Sequence, residues 1–222
     1  QQFCIPSILE GRDVLGCAQT GSGKTAAFAL PILQRLSEDP FGVFGLVLTP
    51  TRELAVQIEE QFMALGAPCG VKTCLVIGGL SMLQQSLALA QRPHVVVATP
   101  GRLRDHLQGP DPPALGQLKF LVLDEADFLL SMGFQSDLGV ILERCPCPAR
   151  RQTLLFSATL TPALDSLKDM ALSDPVLFDL GGPSGQSGEG GKSSSRGQEE
   201  GPGESQGQEQ RGCPELPRQL VH

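Results

Sequence analysis

Short apolar runs alternate with longer amphipathic stretches from Gln1 to about Leu180. The runs predict seven strands, at Asp13–Cys17, Gly45–Thr49, Lys72–Ile77, His94–Ala98, Lys119–Asp124, Gln152–Phe156 and Val176–Leu180. Several are nearly continuous in apolar residues, such as Leu46-Val47-Leu48, Val95-Val96-Val97 and Phe120-Leu121-Val122-Leu123. Strands buried on both faces of a covered parallel sheet have this character. Between them, Lys24–Leu36, Arg52–Leu65 and Pro162–Leu172 carry apolar residues at helical spacing. Thr161-Pro162 offers the last of these a cap followed by proline in its first turn. Alternating strand and helix implies right-handed crossovers and a doubly wound α/β domain, its mostly parallel sheet covered by helices on both faces.

After Leu180 the pattern stops. Gly181 to Gly212 contains no aliphatic or aromatic residue. Such a segment cannot bury enough apolar surface to offset its ordering entropy, so 181–222 is expected to be a disordered tail. The domain is therefore expected to span 1–180. Its 222-residue chain has no Trp or Tyr, so Phe alone supplies aromatic area. No run of about 18 apolar residues occurs, so no membrane partner is expected. Gln1 opens the chain without a signal segment, which reads as a fragment. Seven cysteines lack a framework spacing and suit a reducing compartment, with Cys17 and Cys74 placed as small core residues. Cys145-Pro-Cys147 reads as two thiols in a loop, since no second pair or nearby His completes a metal site. The formal charge of −7 argues against a broad basic surface for nucleic acid. It leaves room for a local site made of a few Arg side chains, backbone N–H groups and helix N-termini.

Ala18-Gln19-Thr20-Gly21-Ser22-Gly23-Lys24-Thr25 follows a predicted strand and opens a predicted helix. Glycines let a backbone turn tightly and aim its N–H groups at phosphate, and the helix N-terminus adds its dipole. Lys24 would meet the β- and γ-phosphates of ATP and the Thr25 hydroxyl would ligate Mg²⁺. The general pattern begins with Gly, and Ala18 stands there instead. Asp124-Glu125-Ala126-Asp127 follows four apolar residues that carry Asp124 out of the sheet. Asp124 can hold Mg²⁺ through its water shell, and Glu125 can orient or deprotonate the attacking water. A carboxylate pair at a helix start is otherwise simply favourable charge at the dipole.

In order, Ala18–Thr25, Pro50-Thr51-Arg52-Glu53-Leu54-Ala55, Gly78-Gly79, Thr99-Pro100-Gly101-Arg102, Asp124–Asp127 and Ser157-Ala158-Thr159 resemble the first-domain motifs of DEAD-box RNA helicases. The resemblance covers nearly all of Gln1 to Leu180 and implies the RecA-like P-loop fold. It implies that Gln1 reads the adenine edge, with Gln2 as the competing register. It further implies that Pro50, Thr51, Arg52, Glu53, Gly78, Gly79, Thr99, Pro100, Gly101 and Arg102 line a track for the RNA backbone. Arg52 and Arg102 fall near predicted helix starts, where guanidinium and N–H donors can both meet phosphate. Taken alone, each is equally a helix-start or surface ion pair. Ser157 and Thr159 could be caps after a strand; by resemblance they couple the nucleotide site to RNA, with Asp127 as hydrogen-bond partner. Cys4-Ile5-Pro6 and Leu9-Glu10-Gly11-Arg12-Asp13 resemble the subgroup working in nucleolar ribosome assembly, which implies a nuclear or nucleolar residence.

A complete member of that family has a second RecA-like domain that supplies arginines to the transferring phosphate, and nothing after Leu180 resembles it. The expectation is slow hydrolysis, if any, and no unwinding by this chain alone. The alternative is a non-catalytic form that binds RNA or helicase partners, to which the low-complexity tail directs attention.

Overall fold

The computed structural model describes residues 2, 4–18, 21–39 and 41–179. Gln1, Gln19, Thr20 and the tail from residue 180 onward, all named above, lie outside the described residues. The elements run α1 (Cys4–Leu9), β1 (Val14–Cys17), α2 (Lys24–Glu38), β2 (Gly45–Leu48), α3 (Arg52–Gly66), β3 (Thr73–Val76) and α4 (Met82–Ala90). They continue as β4 (Val95–Ala98), α5 (Pro100–Leu107), β5 (Phe120–Leu123), α6 (Ala126–Ser131), α7 (Gln135–Arg144), β6 (Gln152–Ser157), α8 (Pro162–Ala171) and β7 (Val176–Asp179).

All seven predicted strands form one sheet in the order β3-β4-β2-β5-β6-β1-β7. Every pairing is parallel. Alternate residues of each strand serve opposite faces, as the pleat requires. Leu46, Leu48, Val96, Ala98, Leu121, Leu123 and Leu155 join one apolar cluster, completed by buried side chains of α4 to α8. Val47, Val95, Val97, Phe120, Val122, Leu154 and Phe156 join the other, completed by α1, α2 and α3. Helices thus cover both faces, which is why the strands read as continuous apolar runs rather than alternating ones. The crossovers through α2 and α3 step toward the β3 edge, and those through α4, α5 and α8 step back across the other face. One crossover hand produces this division.

Phe28 on α2 fixes the helix layer to the sheet. It is fully buried, with its ring 6.1 Å from Phe62 of α3 and 5.5 Å from Phe156 of β6. Truncating such a side chain to alanine costs about 3–5 kcal/mol. α8 differs from expectation at its start. Thr161 occupies the N-cap but its hydroxyl accepts no bond from the helix, and the Leu164 N–H meets the Thr161 carbonyl instead. No helix among the described residues is long and apolar enough to cross a membrane.

Candidate functional site

A parallel sheet delivers every strand–helix turn to one edge, and ligands of such sheets bind there, beyond the carboxyl ends. All six motifs lie in these turns, and the strand order sorts them. The turns after β1, β6 and β5 carry Ala18–Thr25, Ser157–Thr159 and Asp124–Asp127; those after β2, β4 and β3 carry Pro50–Glu53, Thr99–Arg102 and Gly78-Gly79. The first group occupies one half of the edge and the second group the other.

Within the first group, Gly21 and Gly23 adopt φ of 79° and 84°, left-handed values that side chains rarely tolerate. Gly23 is the N-cap of α2, so Lys24 and Thr25 form its first turn. The Lys24 ammonium nitrogen is buried and makes no hydrogen bond. A buried ammonium without a hydrogen bond is costly, and an acceptor of negative charge would satisfy it. The adjoining cleft is lined by Cys17, Ala18, Ser22, Gly23, Lys24 and Phe178. The Ala18 of the motif is buried, and its N–H bonds to the Ser157 carbonyl at 3.0 Å.

Asp124 stands at the end of β5, its N–H bonded to the Leu48 carbonyl at 2.9 Å, with its residue only 2% exposed. Burial pushes its pKa up to about 6; Lys24 and the Glu125 N–H, which bonds to Asp124 Oδ1 at 3.0 Å, pull the other way. Glu125 and Asp127 add repulsion. A buried carboxylate that water cannot solvate gains from a divalent cation, which favours its ionised form. Glu125 itself has φ 51° and ψ 52°, a conformation that costs a non-glycine residue about 1–3 kcal/mol. It caps α6 with no side-chain bond to the helix, so its half-buried carboxylate is not spent on the dipole in the usual capping manner.

β6 lies between β5 and β1, so its terminal turn stands between the Lys24 loop after β1 and Asp124 after β5. The Ser157 hydroxyl donates to the Thr159 carbonyl at 2.7 Å, and the Thr159 hydroxyl donates to Asp127 Oδ2 at 2.9 Å. Neither residue caps a helix. The hydrogen bond expected of Asp127 is present.

In the second group, Arg52 is the first residue of α3, and Thr51 caps that helix by accepting from the Leu54 N–H at 3.3 Å. The Arg52 guanidinium lies against the Gly78-Gly79 backbone: a Cβ at Gly78 would stand 2.9 Å from Nη2, and one at Gly79 2.7 Å from Nη1. Gly79 also has φ 85°. Arg102, in the first turn of α5, donates from Nη1 to the Leu80 carbonyl at 2.8 Å. Thr99 and Pro100 are buried at the start of α5, with Gly101 half-buried beside them. The Arg52 side chain forms no ion pair among the described residues, and neither does Arg102. Among the described residues, these two arginines therefore serve no surface ion pair.

Sequence reasoning missed two buried polar residues beneath this half of the edge, Gln85 on α4 and His106 on α5. Both sit in polar helical positions that a periodicity reading assigns to solvent. Among the described residues no group of three or more His, Cys, Asp or Glu could hold a metal by itself, and Cys145 is a free thiol. Cys147 is disulfide-bonded, so the reading of Cys145-Pro-Cys147 as two thiols holds for Cys145 alone.

Comparison with known proteins agrees with this geometry. The chain is 59% identical over 186 residues to "Probable ATP-dependent RNA helicase DDX49" of Homo sapiens, covering 82% of this chain and 38% of that protein. It is 55% identical over 187 residues to "ATP-dependent RNA helicase dbp8" of Sclerotinia sclerotiorum, covering 80% of this chain and 35% of that protein. The chain thus spans well under half the length of these curated relatives. The crystal structure of a DEAD box protein from Methanococcus jannaschii superposes with a TM-score of 0.72 at 35% identity, over 79% of this chain and 47% of that one. That likeness assigns the domain to the RecA-like helicase folds. The family model described as DEAD/DEAH box helicase matches residues 1–167, and the chain belongs to that family.

Proposed function

We propose that this domain is the ATP-binding half of an ATP-dependent RNA helicase, in which nucleotide held by the β1, β5 and β6 turns controls the grip of the β2, β3 and β4 turns on an RNA backbone. The observation that carries the reading is the buried Lys24 ammonium, which makes no hydrogen bond, within electrostatic reach of the buried Asp124 carboxyl. A triphosphate with a divalent cation answers both needs at once. Glycine turns at Gly21 and Gly23 let the backbone approach the phosphates, and α2 adds its N-terminal dipole.

The residues present fit Mg²⁺. Thr25 and Asp124 would hold it, the latter through water, and when bound it would neutralise charge developing on the phosphates. Glu125, presented by its left-handed backbone, orients the attacking water and accepts its proton. Arg52, Arg102 and the N-termini of α3 and α5 meet RNA phosphates, a backbone contact that carries no sequence information. A local site built from two arginines and helix N-termini is compatible with a chain of formal charge −7.

A second RecA-like domain completes the motor. An arginine supplied to the transferring phosphate from outside a P-loop domain is worth about 10³–10⁵ in rate. Hydrolysis by this chain alone is accordingly slow, and unwinding requires both domains. Gln1 or Gln2 reads the adenine. Work in ribosome assembly, with nucleolar residence, rests on the resemblance of Cys4-Ile5-Pro6 and Leu9–Asp13 to that subgroup. A fluorescent ATP analogue titrated into this chain with and without Mg²⁺ tests the nucleotide site. Mg²⁺-dependent binding lost in Lys24→Ala supports it, and equal binding by Lys24→Ala contradicts it.

A further inference from the structure

The Gly78-Gly79 turn is held by three side chains from three elements. Arg52 covers its glycines and Arg102 takes the Leu80 carbonyl, as described. The third hold is out of sight: Gln85 Nε2 donates to the Ile77 carbonyl at 2.9 Å, and Gln85 Oε1 lies 3.3 Å from His106 Nε2. Ser86 Oγ lies 3.3 Å from His106 Nδ1.

The polarity of this chain is fixed from one end. A backbone carbonyl only accepts, so the Gln85 amide nitrogen faces Ile77 and its oxygen faces His106. His106 Nε2 must therefore carry the proton. Its Nδ1 is then bare and accepts from the Ser86 hydroxyl. Burial, reinforced by the Arg102 charge, lowers the His106 pKa and favours this neutral form, though Asp105 opposes it. Every polar atom of the buried pair is satisfied in one arrangement, and fully satisfied buried networks specify a single geometry. No packing need explains why two large polar side chains occupy an otherwise aliphatic face of α4 and α5.

We infer that Gln85 and His106 are positioning residues for RNA binding: they lock the backbone entering Gly78-Gly79 to α5, so that the turn and Arg102 present a preformed surface to the RNA backbone. The inference rests on the proposed role of this face in RNA binding. Neither residue reaches the surface, so neither contacts RNA. Preorganisation reduces the ordering cost of association, so loosening the turn weakens RNA binding without touching the phosphate site.

The test uses this chain, a fluorescein-labelled oligouridylate and a fluorescent ATP analogue. Gln85→Glu replaces the donor to Ile77, and His106→Leu removes the donor to Gln85. Each is expected to weaken RNA binding roughly tenfold while nucleotide affinity holds. Because Gln Nε2 can stand where the imidazole Nε2 stood, His106→Gln is expected to recover most of the loss. Amide hydrogen exchange at Gly78 and Gly79 should quicken in the weakened variants and not in His106→Gln, with Val122 of the central strand unchanged. Arg52→Ala separates the two possible failures. If it leaves RNA affinity intact, the RNA face itself is wrong. If it weakens binding while Gln85→Glu and His106→Leu do not, or if nucleotide affinity falls in step with RNA affinity, the positioning role is overturned.

Discussion

The Thr159 hydroxyl donates to Asp127 at 2.9 Å and so ties the turn after β6 to the first helical turn after β5. Ser157, two residues earlier, lends its carbonyl to the Ala18 N–H at the root of the phosphate loop. These bonds run from Ala18 through Ser157 and Thr159 to Asp127, the route by which the proposed nucleotide site would reach the proposed RNA face. With the second domain supplied, Thr159→Val should keep nucleotide affinity within about twofold, since it contacts no phosphate, yet lose most of the RNA stimulation of ATP hydrolysis. Steady-state ATPase assays with and without RNA check this. Retained stimulation would remove the pair from the coupling.

Lys24 is the opposite case, a group proposed to serve binding rather than structure. Lys24→Ala should lower the affinity for a Mg²⁺-bound ATP analogue by at least about tenfold, the loss expected for a charge-assisted contact. At pH 4, where Asp124 is protonated, Lys24→Met should leave the unliganded melting temperature unchanged or higher, because the buried ammonium has no hydrogen bond to lose. A lower melting temperature would mean that Lys24 holds the fold.

Asp124 makes a sharper prediction because its sign is unusual for a carboxylate. Its pKa rises from 3.8 to about 6 on folding, chiefly through burial. The folded state therefore favours the protonated form. Below pH 3.8 the group is protonated folded or unfolded and costs nothing; the cost grows between pH 3.8 and 6 and is complete above it. At 1.36 kcal/mol for each pKa unit, it reaches about 3 kcal/mol at neutral pH. Asp124→Asn should raise the melting temperature of the unliganded domain by about 6–12 °C at pH 7 and by progressively less toward pH 4. The same variant should lose Mg²⁺-dependent nucleotide binding. In the parent, that binding should weaken as pH falls below about 6, up to tenfold for each unit, as the carboxylate that holds the cation's water shell protonates. Calorimetry at pH 4 and pH 7 decides the stability claim. A destabilised Asp124→Asn at neutral pH would refute it.

Arg52 and Gly79 test the other half of the edge. Arg52→Ala should weaken binding to single-stranded RNAs of different sequence alike and lower the slope of log affinity against log salt by about 1, as for one lost phosphate contact. Gly79→Ala should weaken it too, since φ 85° strains any side chain and the added carbon would displace Arg52. An unchanged salt slope in Arg52→Ala would mean that its guanidinium meets no phosphate.

The sequence made the sheet legible because its strands are buried on both faces and so stand out as unbroken apolar runs. Their ends fell within a residue or two. Thr49 and Asp124, expected as strand ends, instead begin the turns. α2, α3 and α8 were outlined, whereas the shorter helices were not. α4 exposes Leu83 and Leu87, which blurs its period; α6 and α7 are divided at Gly133, where φ is 82°. The phosphate site was readable because its glycines, lysine and carboxylates are required as types at fixed spacing. Gln85 and His106 left no such trace. Their significance depends on the carbonyl of Ile77, which becomes their partner only once α4 and α5 fold back on β3.

The most direct test is RNA-stimulated ATP hydrolysis by this chain, measured alone and with a separately supplied second domain, with Lys24→Ala as control. Activity that appears only when the second domain is added, requires RNA and vanishes in Lys24→Ala is the predicted result. No activity in either condition, with Mg²⁺-dependent ATP binding intact, would contradict the motor and leave a non-catalytic binding role.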